Sequence, residues 1–221
     1  MTDPATTGRS VGGPEFDTEF RARFADLVAW RRDVRRFRTD PVPDDVLRDC
    51  LALARLSPSV GNSQPWRFVR VSRPERRAAV AASFSRCNEA AAGAYDDERA
   101  TAYRRLKLAG LREAPVHLAV FCDEATASGH GLGRATMPEM LRYSVVTAVH
   151  TLWLAARSHG LGIGWVSILC PEEVTDALDV PPSWRLIAYL CVGYPAEEHA
   201  DPELVRYGWQ AREADAVLLE R

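Results

Sequence analysis

Residues 56–66 read Leu-Ser-Pro-Ser-Val-Gly-Asn-Ser-Gln-Pro-Trp, and this stretch divides a helical pattern from a strand pattern. An amphipathic helical run precedes it, and an apolar run with the composition of a strand follows at residues 67–71. Two prolines and a glycine predict a turn here rather than a continued helix. The turn carries the short polar side chains of Ser59, Asn62, Ser63 and Gln64. Such a polar turn suits hydrogen bonding to a planar ligand, although a plain helix–strand connector explains the same residues.

Length, charge and cysteine usage limit the class of protein. The chain has 221 residues with 47% hydrophobic content, enough for one large domain or two small ones. A net charge of −2 gives no general reason to expect binding to nucleic acid or to an anionic membrane. The sequence shows no secretory signal, membrane-spanning run or metal-ligand spacing, and its five cysteines are widely spaced. These features predict a cytoplasmic protein with reduced cysteines and no metal site.

The order of elements predicts one α+β domain. Residues 1–15 are expected to form a disordered leader, so that residues 16–221 form the domain. The predicted elements are helices over 16–32 and 138–159, helices beginning at Pro43, Pro74 and Pro171, and strands over 66–71, 115–123, 161–169 and 184–194. The alanine-rich helical region 78–111 leaves open whether residues 86–112 include a mobile cover over a site.

Two of these elements carry further information. The helix over 138–159 has apolar residues around most of its circumference, which predicts burial on all sides, either in a large core or across a subunit interface. The strand over 161–169 contains Gly162 and Gly164, which indicate close approach of another backbone or of a flat ligand. A glycine-rich loop at 129–134 follows a predicted strand but lacks the third glycine of a dinucleotide-binding fingerprint, which excludes a Rossmann site there.

Residues 31–38, the arginine segment, contain five arginines and one acidic residue, Asp33. One explanation is a solvated basic patch. However, clustered like charges are costly without an anion nearby, and guanidinium groups match the geometry of phosphate. Because the rest of the chain has no basic stripe, one small phosphorylated ligand fits better than double-stranded nucleic acid.

Three stretches together resemble the flavin-dependent nitroreductase family: residues 31–35, 57–66 and 162–165. More narrowly, the chain resembles the branch of that family that cleaves flavin. The additional matching stretches are residues 103–110, 129–139, 164–168, 188–195 and 202–209. The resemblance covers residues 16–212, and the order and number of the short motifs make the combination specific.

The resemblance implies an α+β sandwich with a central mixed sheet flanked by helices. It also implies a homodimer with two FMN sites at the subunit interface and a C-terminal extension that packs on the partner subunit. In the flavin-cleaving branch, reduced FMN is a substrate: with O2 it is fragmented to 5,6-dimethylbenzimidazole, the lower ligand of cobalamin, and erythrose 4-phosphate. No nicotinamide fingerprint is evident, so a separate NAD(P)H flavin reductase is expected to supply reduced FMN.

Flavin-contacting residues follow from the same resemblance. They are Arg31, Arg32, Asp33, Val34, Arg35, Ser59, Asn62, Gln64, Lys107, Leu108, Gly164, Trp165, Ser167 and Arg212. The arginines are expected at the phosphate and at the pyrimidine edge of the ring, and the polar turn at the ring or the ribityl chain.

Asp33 and Ser167 are the predicted catalytic residues. The wider family commonly has serine at the position of Asp33, and a carboxylate beside the flavin can accept or donate a proton. Ser167 is expected to hold a hydroxyl near the reacting part of the ring. Structural explanations exist for both: Asp33 can neutralise the arginines around it, and Ser167 can bond to backbone within a strand.

Two other functions remain open from the sequence. A conventional NAD(P)H-dependent nitroreductase or quinone reductase would retain its FMN through each reaction cycle. A non-enzymatic protein would use the arginine segment to store flavin or to bind nucleic acid, and RNA binding of that kind should weaken steeply with salt.

Overall fold

Helices and strands alternate along the chain in the predicted order. A computed structural model describes residues 12–93, 95, 103, 110–213 and 218–221. The elements are α1 (Thr18–Trp30), α2 (Asp44–Ala54), β1 (Trp66–Arg70), α3 (Pro74–Ala92), α4 (Gly110–Glu113), β2 (Val116–Asp123), α5 (Met140–Ser158), β3 (Gly162–Val166), α6 (Pro171–Leu178), β4 (Trp184–Gly193) and α7 (Glu203–Arg206). Lys107 and Leu108, residues 1–11 of the predicted leader, and much of the region 86–112 lie outside the described residues.

The four strands form one sheet in the order β1-β2-β4-β3. The α+β fold is therefore confirmed, but the expectation of a mixed sheet is wrong for these strands, because each of their pairings is antiparallel. Among the described residues, β3 has a parallel neighbour only in the isolated bridge between Asp33 and Ile163. Hydrophobic periodicity predicts that a strand exists but carries no signal for its direction.

Helices cover both faces of the sheet. Along β2, Leu118 and Val120 join the core cluster that contains α5, while Ala119 and Phe121 join a second cluster with residues of α3 and α6. This division follows from the alternation of side chains along a strand. Because both faces of β2 are covered, the strand reads in sequence as a continuous apolar run.

Helix α5 is buried on one side only. Val145, Val149 and Leu152 are fully or almost fully buried, whereas Tyr143 and Val146 are 51% and 40% exposed. Burial on all sides within one chain is therefore wrong, and burial across a subunit interface stays a prediction. Among the described residues, no helix is both long and apolar enough to span a membrane.

Candidate active site

The arginine segment lies along the edge strand β3. The N–H of Val34 donates to the carbonyl of Ile163 at 3.0 Å, and the N–H of Trp165 donates to Asp33 Oδ1 at 2.9 Å. A Cβ at Gly164 would overlap the carbonyl oxygen of Val34, so glycine is required for the two backbones to lie this close. Of the two explanations that the sequence left open for the glycines, close approach of another backbone is the one found. A flavin contact at Gly164 stays a prediction.

Carboxylates from both near and distant parts of the chain neutralise much of the arginine segment. Arg36 donates to Glu197 at 2.7 Å, and Arg38 donates to Asp40 at 2.8 Å. Clustering of these arginines therefore does not by itself require a bound anion, which removes part of the sequence argument for one. Sequence reasoning could not find Glu197, because more than 150 residues separate it from its partner.

Three of the arginines predicted to contact FMN differ from their neighbours. Among the described residues, Arg31, Arg32 and Arg212 have no carboxylate within 4 Å. Burial, together with the charges of Arg31 and Arg212, lowers the pKa of Arg32. Arg31 stacks over the ring of Trp153 at 5.3 Å, and its buried Nε lacks an acceptor among the described residues. Clustered guanidinium groups with an unused donor fit a dianionic phosphate.

Asp33 is held in a position where its carboxylate is costly to ionise. Burial raises the pKa of this carboxyl and the charge of Glu203 adds to the increase, while the Trp165 N–H and the Arg35 guanidinium oppose it. Its Oδ2 lies 3.5 Å from Arg35 Nε, and the side chain keeps 38% exposure. An accessible carboxyl with a raised pKa is suited to accepting and returning a proton. Asp33 also neutralises Arg35, so its structural and catalytic roles are compatible.

Ser167 lies just beyond β3 and is exposed. Its hydroxyl forms no hydrogen bond to another described residue, unlike the strand serine bonded to backbone that the structural explanation requires. Because it follows Trp165 by two residues, it is on the same stretch of chain that binds Asp33. The structure thus brings the predicted catalytic residues to one edge of the sheet.

The polar turn interrupts the helical pattern, as its prolines and glycine predict. Asn62 and Gln64 adopt left-handed conformations with φ of 52° and 45°, and Ser59 Oγ accepts the N–H of Gln64 at 3.0 Å. The side chains of Asn62 and Gln64 are exposed and are therefore accessible to a ligand. The identity of that ligand is not given by the turn itself.

Contacts to α5 hold the turn in place. Ser57 Oγ donates to Thr151 Oγ1 at 2.7 Å, and the N–H of Val60 donates to Ser144 Oγ at 3.0 Å. The glycine-rich loop at 129–134 packs on the turn, since a Cβ at Gly61 would meet the carbonyl oxygen of Gly129 at 2.9 Å. The loop that superficially suggested a dinucleotide site therefore supports the polar turn.

Within one chain, the polar turn and the arginine segment do not meet. The turn leads into β1 and the arginine segment borders β3, at opposite edges of the sheet and roughly 14 Å apart at the usual strand spacing. The cleft beside the arginine segment has a volume of only about 40 Å³. Sites for small molecules usually offer roughly 300–1,000 Å³. A flavin site that uses both groups of residues is therefore incomplete in a single chain.

Two residues of the site had no predicted role. Trp153 stacks on Arg31 and donates its indole N–H to the carbonyl of Arg32 at 3.1 Å. Glu203 is 8% exposed and lies between Arg35 and Arg36. The sequence did carry a signal for Glu203, because residues 202–209 are one of the stretches that resemble the flavin-cleaving branch. Among the described residues, no cluster of three or more His, Cys, Asp or Glu side chains is arranged to hold a metal ion.

Several comparisons with known proteins agree on one family. Residues 28–194 match the model of the nitroreductase family. The chain is 61% identical to the 5,6-dimethylbenzimidazole synthase of Rhodospirillum rubrum over 93% of this chain and 98% of that protein. It is 47% identical to the enzyme of the same name from Rhodobacter capsulatus, over 88% of this chain and 94% of the relative.

A solved structure agrees with this assignment. Oxidized iodotyrosine deiodinase bound to FMN and 3-iodo-L-tyrosine superposes with a TM-score of 0.70 at 26% identity, covering 89% of this chain and 97% of the other. The sequence match over most of the chain thus agrees with the fold, which has an antiparallel sheet, helices on both of its faces and the arginine segment along one edge. The chain belongs to the nitroreductase family.

Proposed function

We propose that this protein catalyses the O2-dependent fragmentation of reduced FMN to 5,6-dimethylbenzimidazole and erythrose 4-phosphate. The observation that carries the proposal is the carboxyl of Asp33, held against the Trp165 N–H at the edge of the sheet that also presents Ser167. A chain 61% identical to a 5,6-dimethylbenzimidazole synthase over nearly its full length supports the same activity.

The donors and charges of the site fit FMN. Arg31, Arg32 and Arg212 supply positive charge for a phosphate, and the buried Nε of Arg31 and of Arg35 have no acceptor among the described residues. The exposed amides of Asn62 and Gln64 supply both donors and acceptors for a flavin ring or a ribityl chain. Phosphate and ring are therefore expected to be held by chemically different parts of the site.

The proposed chemistry assigns proton transfer to Asp33. Reduced FMN supplies the electrons that activate O2 and is also the source of the carbon skeleton of the product. Ring cleavage requires protons to be removed and returned, and burial raises the pKa of the Asp33 carboxyl above its ordinary value, which suits this carboxyl to both steps. The exposed hydroxyl of Ser167, which has no hydrogen-bond partner among the described residues, is proposed to donate or accept a hydrogen bond at the same edge.

A homodimer completes the proposed site. The polar turn contacts α5 at Ser144 and Thr151, and the arginine segment contacts the same helix at Trp153, about 14 Å beyond Ser144 along the helix axis. A two-fold axis that pairs the exposed faces of two α5 helices in antiparallel orientation brings the turn of one chain to the arginine segment of the other. The C-terminal extension is proposed to pack on the partner in the same dimer.

The function is tested by incubating the protein with excess reduced FMN in air and analysing the products by mass spectrometry. The proposal expects loss of flavin and formation of 5,6-dimethylbenzimidazole, with neither change under anaerobic conditions. Quantitative recovery of intact FMN would contradict it. Recovery of FMN together with turnover of NAD(P)H and an acceptor would identify a conventional nitroreductase.

The supply of reduced FMN is tested separately. A separate flavin reductase is proposed, so NAD(P)H alone should not support product formation by the purified protein, and addition of an NAD(P)H:FMN reductase should restore it. Product formation from NAD(P)H and FMN without the reductase would show that this protein reduces its own flavin. The cytoplasmic location also stays a prediction.

A further inference from the structure

Arg35 lies between two carboxylates, and only one of them was predicted to belong to the catalytic site. Its Nε is 3.5 Å from Asp33 Oδ2 and 4.0 Å from Glu203 Oε2. Both distances are too long for direct hydrogen bonds at Nε. Consistent with this, Arg35 Nε has no hydrogen-bond partner among the described residues. The guanidinium therefore lies between the two acids and forms a close ion pair with neither.

Glu203 is fixed where it can compete for this guanidinium. Its side chain is 8% exposed, and that of Arg35 is 12% exposed, so water screens their interaction only weakly. The second oxygen of Glu203 lies 3.5 Å from Arg36 Nη1, and Arg36 is in turn bonded to Glu197. These contacts hold the first turn of α7 against the arginine segment.

We propose that Glu203 is a positioning residue that sets the protonation state of Asp33 by competing with it for Arg35. Its relevance to catalysis rests on the proposed function, but the electrostatic coupling is a property of the chain itself. The distances through Arg35 require the two carboxylates to be no more than about 8 Å apart. At such a separation, in a partly enclosed site, the charge of Glu203 disfavours a second negative charge on Asp33.

The other charged or ionisable groups around Asp33 leave Glu203 as the acid available for this role. Strand β3 contributes only backbone, because residues 162–166 have no ionisable side chain. On β4, burial raises the pKa of the Cys191 thiol to about 12, so this neighbour stays neutral. Of the other acids, Glu198 is paired with Arg157 of α5, Glu197 is paired with Arg36 and His199, and the charge of Asp201 acts on Arg32. The remaining bases are Arg31 and Arg32 on the same segment and Arg206 on the C-terminal stretch.

The coupling is measured most directly by titrating the Asp33 carboxyl with 13C NMR. Full-length protein labelled at the aspartate carboxyl carbons is used, with and without oxidised FMN, and the signal is assigned by its absence in Asp33→Asn. In Glu203→Gln, the midpoint of this titration should move to lower pH, because Arg35 becomes free to pair with Asp33. Glu197→Gln is the matched control, since Glu197 contacts Arg36 but not Arg35. In this variant the titration midpoint of Asp33 should equal that of the wild type.

A second variant covers the case in which Glu203→Gln does not fold. Glu203→Asp keeps the charge but withdraws it by one methylene group, so the midpoint should move in the same direction by a smaller amount. Unchanged midpoints in the folded Glu203 variants, or an equal change in Glu197→Gln, would overturn the proposal.

Activity gives an independent measurement. The pH profile of 5,6-dimethylbenzimidazole formation should move to lower pH in Glu203→Gln, whichever protonation state of Asp33 reacts, while a purely structural role of Glu203 would lower the rate without moving the profile. If the wild type forms no product, the proposed function fails, and the NMR titration still decides whether Glu203 acts on Asp33.

Discussion

The carboxylate of Asp33 accepts the backbone N–H of Trp165 at 2.9 Å, across 132 positions of sequence. This bond attaches the arginine segment to the end of β3 from which Ser167 emerges. It uses Oδ1 and leaves Oδ2 directed toward Arg35. The group proposed to transfer a proton is therefore also an anchor of the segment that is proposed to bind phosphate.

Replacing either predicted catalytic residue should separate binding from chemistry. In Asp33→Asn the amide oxygen can still accept the Trp165 N–H, and in Ser167→Gly an exposed hydroxyl without a partner in the described chain is removed. Both variants should bind FMN with affinity within about threefold of the wild type, a difference below 1 kcal/mol. Both should lose product formation. Flavin fluorescence titration and product analysis measure the two effects, and loss of binding in both variants would indicate structural roles.

Asp33→Asn should also make the protein more stable near neutral pH. Because the folded-state pKa of Asp33 is raised, the protonated carboxyl is favoured by folding at low pH, and that contribution is lost as the pH rises through the folded-state pKa. Asparagine carries no charge and avoids this loss. Urea unfolding of flavin-free protein at about pH 7 should therefore favour the variant, and the difference should diminish below the ordinary aspartate pKa of 3.8.

A matched substitution should have the opposite sign. The hydrogen bond from Arg38 lowers the pKa of Asp40, so ionised Asp40 contributes stability that is lost as the pH falls through its folded-state pKa. Asp40→Asn should thus lower the free energy of unfolding near pH 7, by a small amount because the pair is exposed. Equal changes in the free energy of unfolding for Asp33→Asn and Asp40→Asn would show that the loss of any carboxylate has this effect, whatever groups surround it.

The sequence predicted local structure well and long-range pairing poorly, for a physical reason. Proline and glycine act on the backbone within a few residues. The polar turn and the helix beginning at Pro171 were therefore predicted close to their observed bounds. Glu197 and Glu203 meet the arginine segment only because the C-terminal stretch folds back beside it. No local pattern encodes that return, and the same holds for strand direction. Prediction of Asp33 as a site residue depended on family resemblance rather than on its own sequence environment.

Removing Arg212 should weaken binding of FMN and leave binding of riboflavin nearly unchanged. The charge of Arg212 acts on Arg32, which places it in the arginine cluster that is expected to hold phosphate. A hydrogen bond to a charged group contributes roughly 1.5–3 kcal/mol, so Arg212→Ala should raise the Kd of FMN by about tenfold or more. Arg38→Ala is the control, because Arg38 is already paired with Asp40 and is expected to leave the Kd unchanged. Equal weakening of both flavins by Arg212→Ala would argue against a phosphate contact.

Gly164→Ala should destabilise the protein and disrupt flavin binding together. The added Cβ would overlap the carbonyl oxygen of Val34, a backbone atom that can move only if the arginine segment moves away from β3. Overpacking of this kind typically costs about 1–3 kcal/mol. Gly93→Ala is the control, since its φ of −71° suits alanine and the nearest atom is 3.5 Å from the added Cβ. Denaturant unfolding and FMN titration should show both losses in Gly164→Ala and neither in Gly93→Ala.

Mixing two inactive variants should restore activity if each site is formed by the polar turn of one chain and the arginine segment of the other. Asn62→Gly removes a polar side chain of the turn while keeping its left-handed conformation, and Asp33→Asn removes the proposed proton-transfer group. A mixed dimer places both defects in one site and leaves the second site intact.

Random re-association of equal amounts of the two variants should therefore give about a quarter of wild-type product formation, because half of the dimers are mixed and each mixed dimer has one intact site of two. A mixture of Asp33→Asn and Ser167→Gly should give none, since the fold places both residues at the same sheet edge of one chain. Recovery in that second mixture, or its absence in the first, would show that the site is not divided between subunits in this way.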